Sequence, residues 1–284
     1  MVTGQLRMEN KINQNIEDNQ ISILMRQDGY SFLIEKITEE TSSELIHVEL
    51  QPNQTKTPEN LLEIFKDKIN QEWIEKNHIK KARVLYHHSL FSLVPTDYFE
   101  KSAASDYIKY NTKILPEDQL VSEKIDSCAA VITYIPYTNI NNYIIDLLGS
   151  FHYKHQLEPI LQINYLLDQE RERVLVFIDR NILSITAFSG QKLKLANTFQ
   201  FTTQEDLAYY VLFCIEQVGF NREEMILLLF GSIKEEDTAF KYLFNYIKHV
   251  DFLFSELNYS ASEIEKKSFQ LVFEENYAHS LRKI

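Results

Sequence analysis

Imidazoles, carboxylates and thiols are the side chains in this sequence whose spacing could do chemistry. His152, His155 and Glu158 follow one another at three-residue steps, which would place them on one face of a helix, and His87-His88 adds two further imidazoles. A zinc ion takes three or four converging ligands supported by a second layer of hydrogen bonds. Nothing in the spacing makes these residues converge, so no metal is expected. The sequence holds no glycine-flanked nucleophilic serine, no phosphate loop ending in Lys-Ser/Thr, no CxxC pair and no dinucleotide-binding glycine fingerprint. Cys128 and Cys214 are the only cysteines, far apart and each inside an apolar run, and are read as buried free thiols.

Charge narrows the function classes. With 41 acidic against 29 basic side chains the formal charge is -12. Such a surface is repelled by phosphate backbones and anionic lipid, so direct nucleic-acid binding is not expected. No apolar run is long enough to span a bilayer and no basic, apolar leader is present, so neither membrane insertion nor export is expected and a cytoplasmic location is. At 284 residues the chain is about the size at which a single core divides into lobes. Aromatic pairs at Tyr98 with Phe99, Tyr209-Tyr210, and Tyr242 with Tyr246 could leave ring surface exposed, as protein interfaces use. A tyrosine-rich core is the competing reading for each.

Two stretches organise the rest. After a polar, aperiodic tail over residues 1–20, the runs 21–27, 30–37 and 44–50 alternate apolar and polar residues around Asp28-Gly29, a strong hairpin signal. They predict a three-strand meander. Thr57-Pro58 then opens a helix with an apolar stripe at Leu61, Leu62, Phe65, Ile69 and Trp73, ending near Asn77. Short β-rich runs follow at 82–87 and 91–94, then a helix through Tyr107, a strand pair over 120–126 and 128–135, a helix closing at Gly149, and a helix after Pro159.

Residues 173–201 repeat the meander, with reversals at Asp179-Arg180-Asn181 and Ser189-Gly190-Gln191. Thr202 and Glu205 have capping-box spacing for the next helix, and Met225 to Phe230 reads as a buried parallel strand. A helix over 240–247, a strand over 250–254, a strand over 269–273 and a short terminal helix complete the chain. Both halves therefore run meander, helix, buried strand, helix, strand. The fold class expected is α/β, with residues 21–170 and 171–284 as duplicated lobes, each a mixed sheet with helices packed on it.

That duplicated order resembles the actin, sugar-kinase and heat-shock chaperone ATPase superfamily, whose lobes are ribonuclease H-like. More narrowly, FSLVPTDYF (91–99) and NTFQFTTQEDLAYYVLFCIEQVGF (197–220) resemble an uncharacterised family of Bacteroidota proteins with a degenerate actin-like fold. In active members of the superfamily nucleotide sits between the lobes, held by an Asp- and Gly-containing turn in each meander and a glycine-rich turn in the second lobe. Carried onto this sequence, the resemblance marks Asp28, Gly29, Asp179, Arg180, Gly231 and Ser232 as the nucleotide-binding positions, if nucleotide binds. The first turn keeps Asp28-Gly29. The second is Asp179-Arg180-Asn181 without glycine, and the third offers Gly231-Ser232 in place of a glycine pair.

The resemblance with these losses implies a non-catalytic adaptor or scaffold that uses no cofactor and binds a protein partner. The alternative is an ATPase or phosphotransferase using ATP and magnesium. For Asp28 and Asp179 a purely conformational role in hairpins competes with both, since Asp favours turns through local hydrogen bonds.

Overall fold

The computed structural model describes residues 18–37, 42–110, 112, 114, 118–167, 170–254, 260–274 and 281. Most of the expected tail, and the terminal helix expected after Phe273, lie outside the described residues. Asn19 and Gln20, expected in the tail, already belong to the first strand.

The first meander comprises β1 (Asn19–Met25), β2 (Gly29–Lys36) and β3 (Ile46–Glu49). Gly29 is needed for close approach, not for turn conformation: a Cβ there would overlap the Val48 carbonyl oxygen of β3. The long helix expected to reach Asn77 is two helices, α1 (Pro58–Lys68) and α2 (Gln71–Lys76), because Asn70 caps the second by accepting from the Trp73 amide. Then β4 (Ile79–Tyr86) returns parallel to β1.

An insertion follows, of β5 (Phe91–Pro95), a short α3 (Ala104–Ile108), β6 (Val121–Ile125) and β7 (Ala130–Tyr134). The helix expected through Tyr107 is reduced to 3-10 turns and α3. The three strands form their own antiparallel sheet in the order β5-β7-β6. Next come α4 (Thr138–Leu148), β8 (His152–His155) and α5 (Leu157–Leu166), giving a five-stranded sheet ordered β3-β2-β1-β4-β8.

The second lobe repeats the plan with β9 (Glu172–Asp179), β10 (Ile182–Ser189), β11 (Lys192–Gln200), α6 (Gln204–Val218), β12 (Ile226–Gly231), α7 (Thr238–Tyr246) and β13 (Val250–Phe252). Its sheet order, β11-β10-β9-β12-β13, matches the first strand for strand. The capping box of α6 is Thr203 with Asp206, one residue beyond the expected pair. Residues 269–273, expected as a strand, belong to α8 (Ala261–Val272) and its C-cap. Phe269, Leu271 and Phe273 do alternate, but Ser260 and Glu263 form a capping box upstream and commit the segment to a helix.

Alternation splits each central strand between two cores. Val174, Val176, Leu227 and Leu229 face α6 and α7. Leu175, Phe177 and Phe230 face the other way and join Leu24, Leu33 and Leu85 of the first lobe, Ile160 and Ile163 of α5, and Phe269, Leu271 and Val272 of α8. The lobes therefore share an apolar core, worth about 1.5–3 kcal/mol for each large side chain buried in it. Above that core sit the two meander turns.

Candidate functional site

β1 and β9, the central strands of their sheets, end close together at the junction between the lobes, where Arg26 after β1 meets Asp179 at the end of β9. Arg26 follows β1, and its guanidinium side chain is only 1% exposed. Its Nη1 donates to Asp179 Oδ2 at 2.9 Å and to Ser31 Oγ at 2.7 Å, and its Nε lies 3.5 Å from Asp28 Oδ1. One guanidinium thus links both hairpin aspartates across the lobes. Asp28 accepts in turn from Asn181 Nδ2 at 2.5 Å and from Lys56 Nζ at 3.2 Å.

Outside this pair, Arg180 Nε donates to Glu49 Oε1 at 2.8 Å and Gln200 donates to Gln27 at 2.9 Å. Arg180 adopts φ 59°, the left-handed conformation that glycine takes without cost and other residues take at roughly 1–2 kcal/mol. The turn thus keeps a glycine-like backbone while carrying a charged side chain.

At the third position, Gly231 has φ 101° and packs against the backbone of Ile178. Its amide donates to Ser268 Oγ at 3.0 Å, and Ser232 Oγ donates to Glu265 Oε1 at 2.5 Å. A residue of α8 therefore occupies the hydroxyl. Glu265 also lies 3.6 Å from His47. The predicted residues Asp28, Arg180 and Ser232 line one cavity of about 450 Å³, together with Glu49, Gln51, Gln54, Lys56 and Asn181. Gly29, Asp179 and Gly231 lie beside it and do not line it.

Electrostatics fix the charge states. Burial pushes the Asp179 carboxyl up, but Arg26 and then His87 outweigh it and hold it far below the usual carboxylate range. Burial likewise opposes ionisation of Asp28, and the Asn181 amide, Arg26 and Lys56 prevail to lower it. His87 lies 3.7 Å from Asp179 through Nδ1 and contacts Ser184 through Nε2 at 3.1 Å; its burial lowers it, so it is held towards the neutral form. The residues that sequence reasoning missed here are Arg26, Lys56 and Glu265; His87 was singled out only among the imidazoles weighed for a metal. Arg26, directly ahead of Gln27-Asp28-Gly29 and at the end of an apolar strand, was the one with a visible signal.

His88 and His155 form a structural cluster, their rings 5.2 Å apart. His152–His155 is strand β8, not a helical face, so His152, His155 and Glu158 cannot line up as expected. His155 Nε2 donates to the His88 carbonyl at 3.0 Å while Nδ1 accepts from Leu157 N at 3.2 Å, which fixes its neutral tautomer. Among the described residues no group of three His, Cys, Asp or Glu side chains could hold a metal ion. Both thiols are free, Cys214 buried as expected and Cys128 only half-buried.

These imidazoles make the fold acid-sensitive. Burial pushes His88 down to about 3 and His155 well below the ordinary histidine range, and lowers His87. The unfolded chain binds protons at these sites from about pH 6.5 downward while the native state does not, so stability present above that pH is lost as pH falls. The expected loss is roughly 1.4 kcal/mol per pH unit for each of His88 and His155, with His87 adding in the same direction. Glu123, raised by burial to about 7, acts in the opposite sense between pH 7 and 4.5 but is a single group. Urea unfolding at pH 7, 6 and 5 measures the slope; a flat profile would refute neutral burial of the cluster.

Comparison with known proteins places this geometry. The family model described as "Protein of unknown function (DUF3822)" matches residues 8–250. The chain belongs to the DUF3822 family. No curated protein matches the sequence. Among solved structures, a Bacteroides thetaiotaomicron protein with actin-like ATPase fold and unknown function is 20% identical with a TM-score of 0.72, over 91% of this chain and 97% of that one. The PilM-PilN type IV pilus biogenesis complex follows at 10% identity and a TM-score of 0.51, over 94% and 97% of the two chains. This DUF3822 member therefore has the actin-like ATPase fold, as its duplicated meanders imply. No helix among its described residues is long and apolar enough to cross a membrane.

Proposed function

We propose that the chain is a non-catalytic, actin-like adaptor that binds a protein partner. The reading rests on the charge balance at the two meander turns. Holding a magnesium nucleotide there requires carboxylates free to take water-coordinated magnesium and donors free to take phosphate. Asp179 instead bonds Arg26, and Asp28 bonds Asn181 and Lys56. The cleft cations each face a carboxylate, Lys56 that of Asp28 and Arg180 that of Glu49 across a solvent-screened contact, and Glu265 adds a further carboxylate at the Gly231-Ser232 turn. These residues do not fit a magnesium nucleotide, and no catalytic step is derived through one.

The partner half of the reading is supported by exposed rings. Tyr209 and Phe213 on α6, and Tyr242, Phe244 and Tyr246 on α7, are all more than 40% exposed, beyond what a core requires. A protein of this fold has also been solved as the PilM-PilN complex.

Nucleotide binding is tested by thermal shift. A ligand at a hundred times its dissociation constant stabilises the native state by about 2.7 kcal/mol. The melting temperature is expected to be unchanged by millimolar Mg-ATP, Mg-GTP or ADP. An upward shift that disappears in Asp28→Ala would replace this reading with the ATPase one.

A further inference from the structure

We infer that the chain latches its own lobes closed, with Arg26 and Asp179 as the bolt. Proteins of two lobes around a cleft commonly close when a ligand supplies contacts available only in the closed state. Here side chains of the chain supply those contacts. From the inside outward, His87 meets Ser184, Arg26 meets Asp179, Asn181 meets Asp28, and Arg180 meets Glu49. Each pair joins the first lobe to the second.

The far side is fastened as well. From α8, Lys266 donates to the Ser42 carbonyl and Gln270 to its hydroxyl, while Arg83 Nη1 donates to the Phe273 carbonyl at 2.6 Å. With Leu24, Leu33, Leu175 and Phe230 packed between, the junction has a dry floor and a polar rim.

The contacts are unequal. Arg180 and Glu49 are 43% and 47% exposed, so water screens them and their pairing contributes little. Arg26 and Asp179 are 1% and 6% exposed, so their contact is shielded from water and separating the lobes would break it. Two guanidinium nitrogens of Arg26, Nε and Nη2, are buried without a hydrogen-bond partner. Asp179 is therefore the group that fixes this guanidinium across the junction. The latch stands whether or not the adaptor reading holds, since it concerns how the lobes are held and not what they bind.

The test is the inter-lobe distance in solution. Spin labels at Glu63→Cys on α1 and Lys241→Cys on α7, in a Cys128→Ser, Cys214→Ala background, report it by pulsed dipolar spectroscopy. With the latch intact one narrow distance is expected, the same with and without Mg-ATP. Asp179→Asn removes the charge at nearly constant shape and is expected to add a population shifted by more than about 2 Å. The Arg26→Gln, Asp179→Asn double variant, which leaves no buried charge unpaired and puts no apolar contact across the junction, keeps the test valid if the single variant does not fold, and should show the same added population. Glu49→Gln should not. A broad distribution in the intact protein, or an unchanged narrow one in both latch variants, would overturn the proposal.

Discussion

Replacing Arg26 by Met is expected to lower the unfolding free energy by about 3–5 kcal/mol, the cost of removing one partner from a buried ion pair. Asp179 would remain 5% exposed with its counter-charge gone. Its nearest remaining titratable group is His87, 3.7 Å away, which burial holds towards the neutral form. The lost charge thus has an internal substitute that water can supply by protonation. The Arg26→Met variant should therefore lose stability less steeply than the parent protein as pH falls from 7 to 5, because protonating His87 restores a cation beside Asp179. Adding Asp179→Leu should recover most of the loss, since a buried pair replaced by apolar side chains of similar volume is often neutral or better. Urea unfolding of the single and double variants measures both effects. A loss below about 1 kcal/mol in the single variant would mean the pair is effectively solvated.

The second large effect is expected at Gly231. Its φ of 101° lies in the region L side chains rarely adopt, and a Cβ would run into the carbonyl oxygen of Ile178 on the neighbouring parallel strand. The atoms it would meet are all backbone atoms of Ile178, with no flexible side chain that could move aside. Gly231→Ala should therefore cost about 4 kcal/mol or more, combining backbone strain with a forced separation of β9 and β12. Ile178 immediately precedes Asp179, so the displacement would also disturb the latch. Chemical denaturation, with near-ultraviolet circular dichroism reporting the packing of the aromatic core as a whole, distinguishes this from a local loop change. By contrast Gly149 and Gly219, both at positive φ, have open space where a Cβ would go and should cost much less.

Much of the fold was legible in local pattern. Alternation around Asp28-Gly29 and Asp179-Arg180-Asn181, followed each time by a capped amphipathic helix and a β-rich run, specifies a repeated unit, because period and caps depend on neighbours in sequence. The same locality explains the misses. Phe269 to Phe273 alternates like a strand, and only the capping box at Ser260 and Glu263 together with packing against β12 decides for helix. His152, His155 and Glu158 keep helical spacing while His152–His155 pairs in parallel with β4, since the strand's partner lies nearly seventy residues away.

The sequence by itself determined the duplication, the two aspartates at equivalent turns, the missing glycine at Arg180 and the acidic balance that disfavours phosphate ligands. Tertiary structure alone decided what those turns do. Asp179 and Arg26 are separated by 153 positions, as are Asp28 and Asn181. Side-chain charges meet over that distance only when the two sheets pack through a shared core, and no periodicity in the chain records which carboxylate will be answered by which cation. Packing therefore turned a pair of hairpin aspartates, which could have faced a ligand, into the fastening between two lobes.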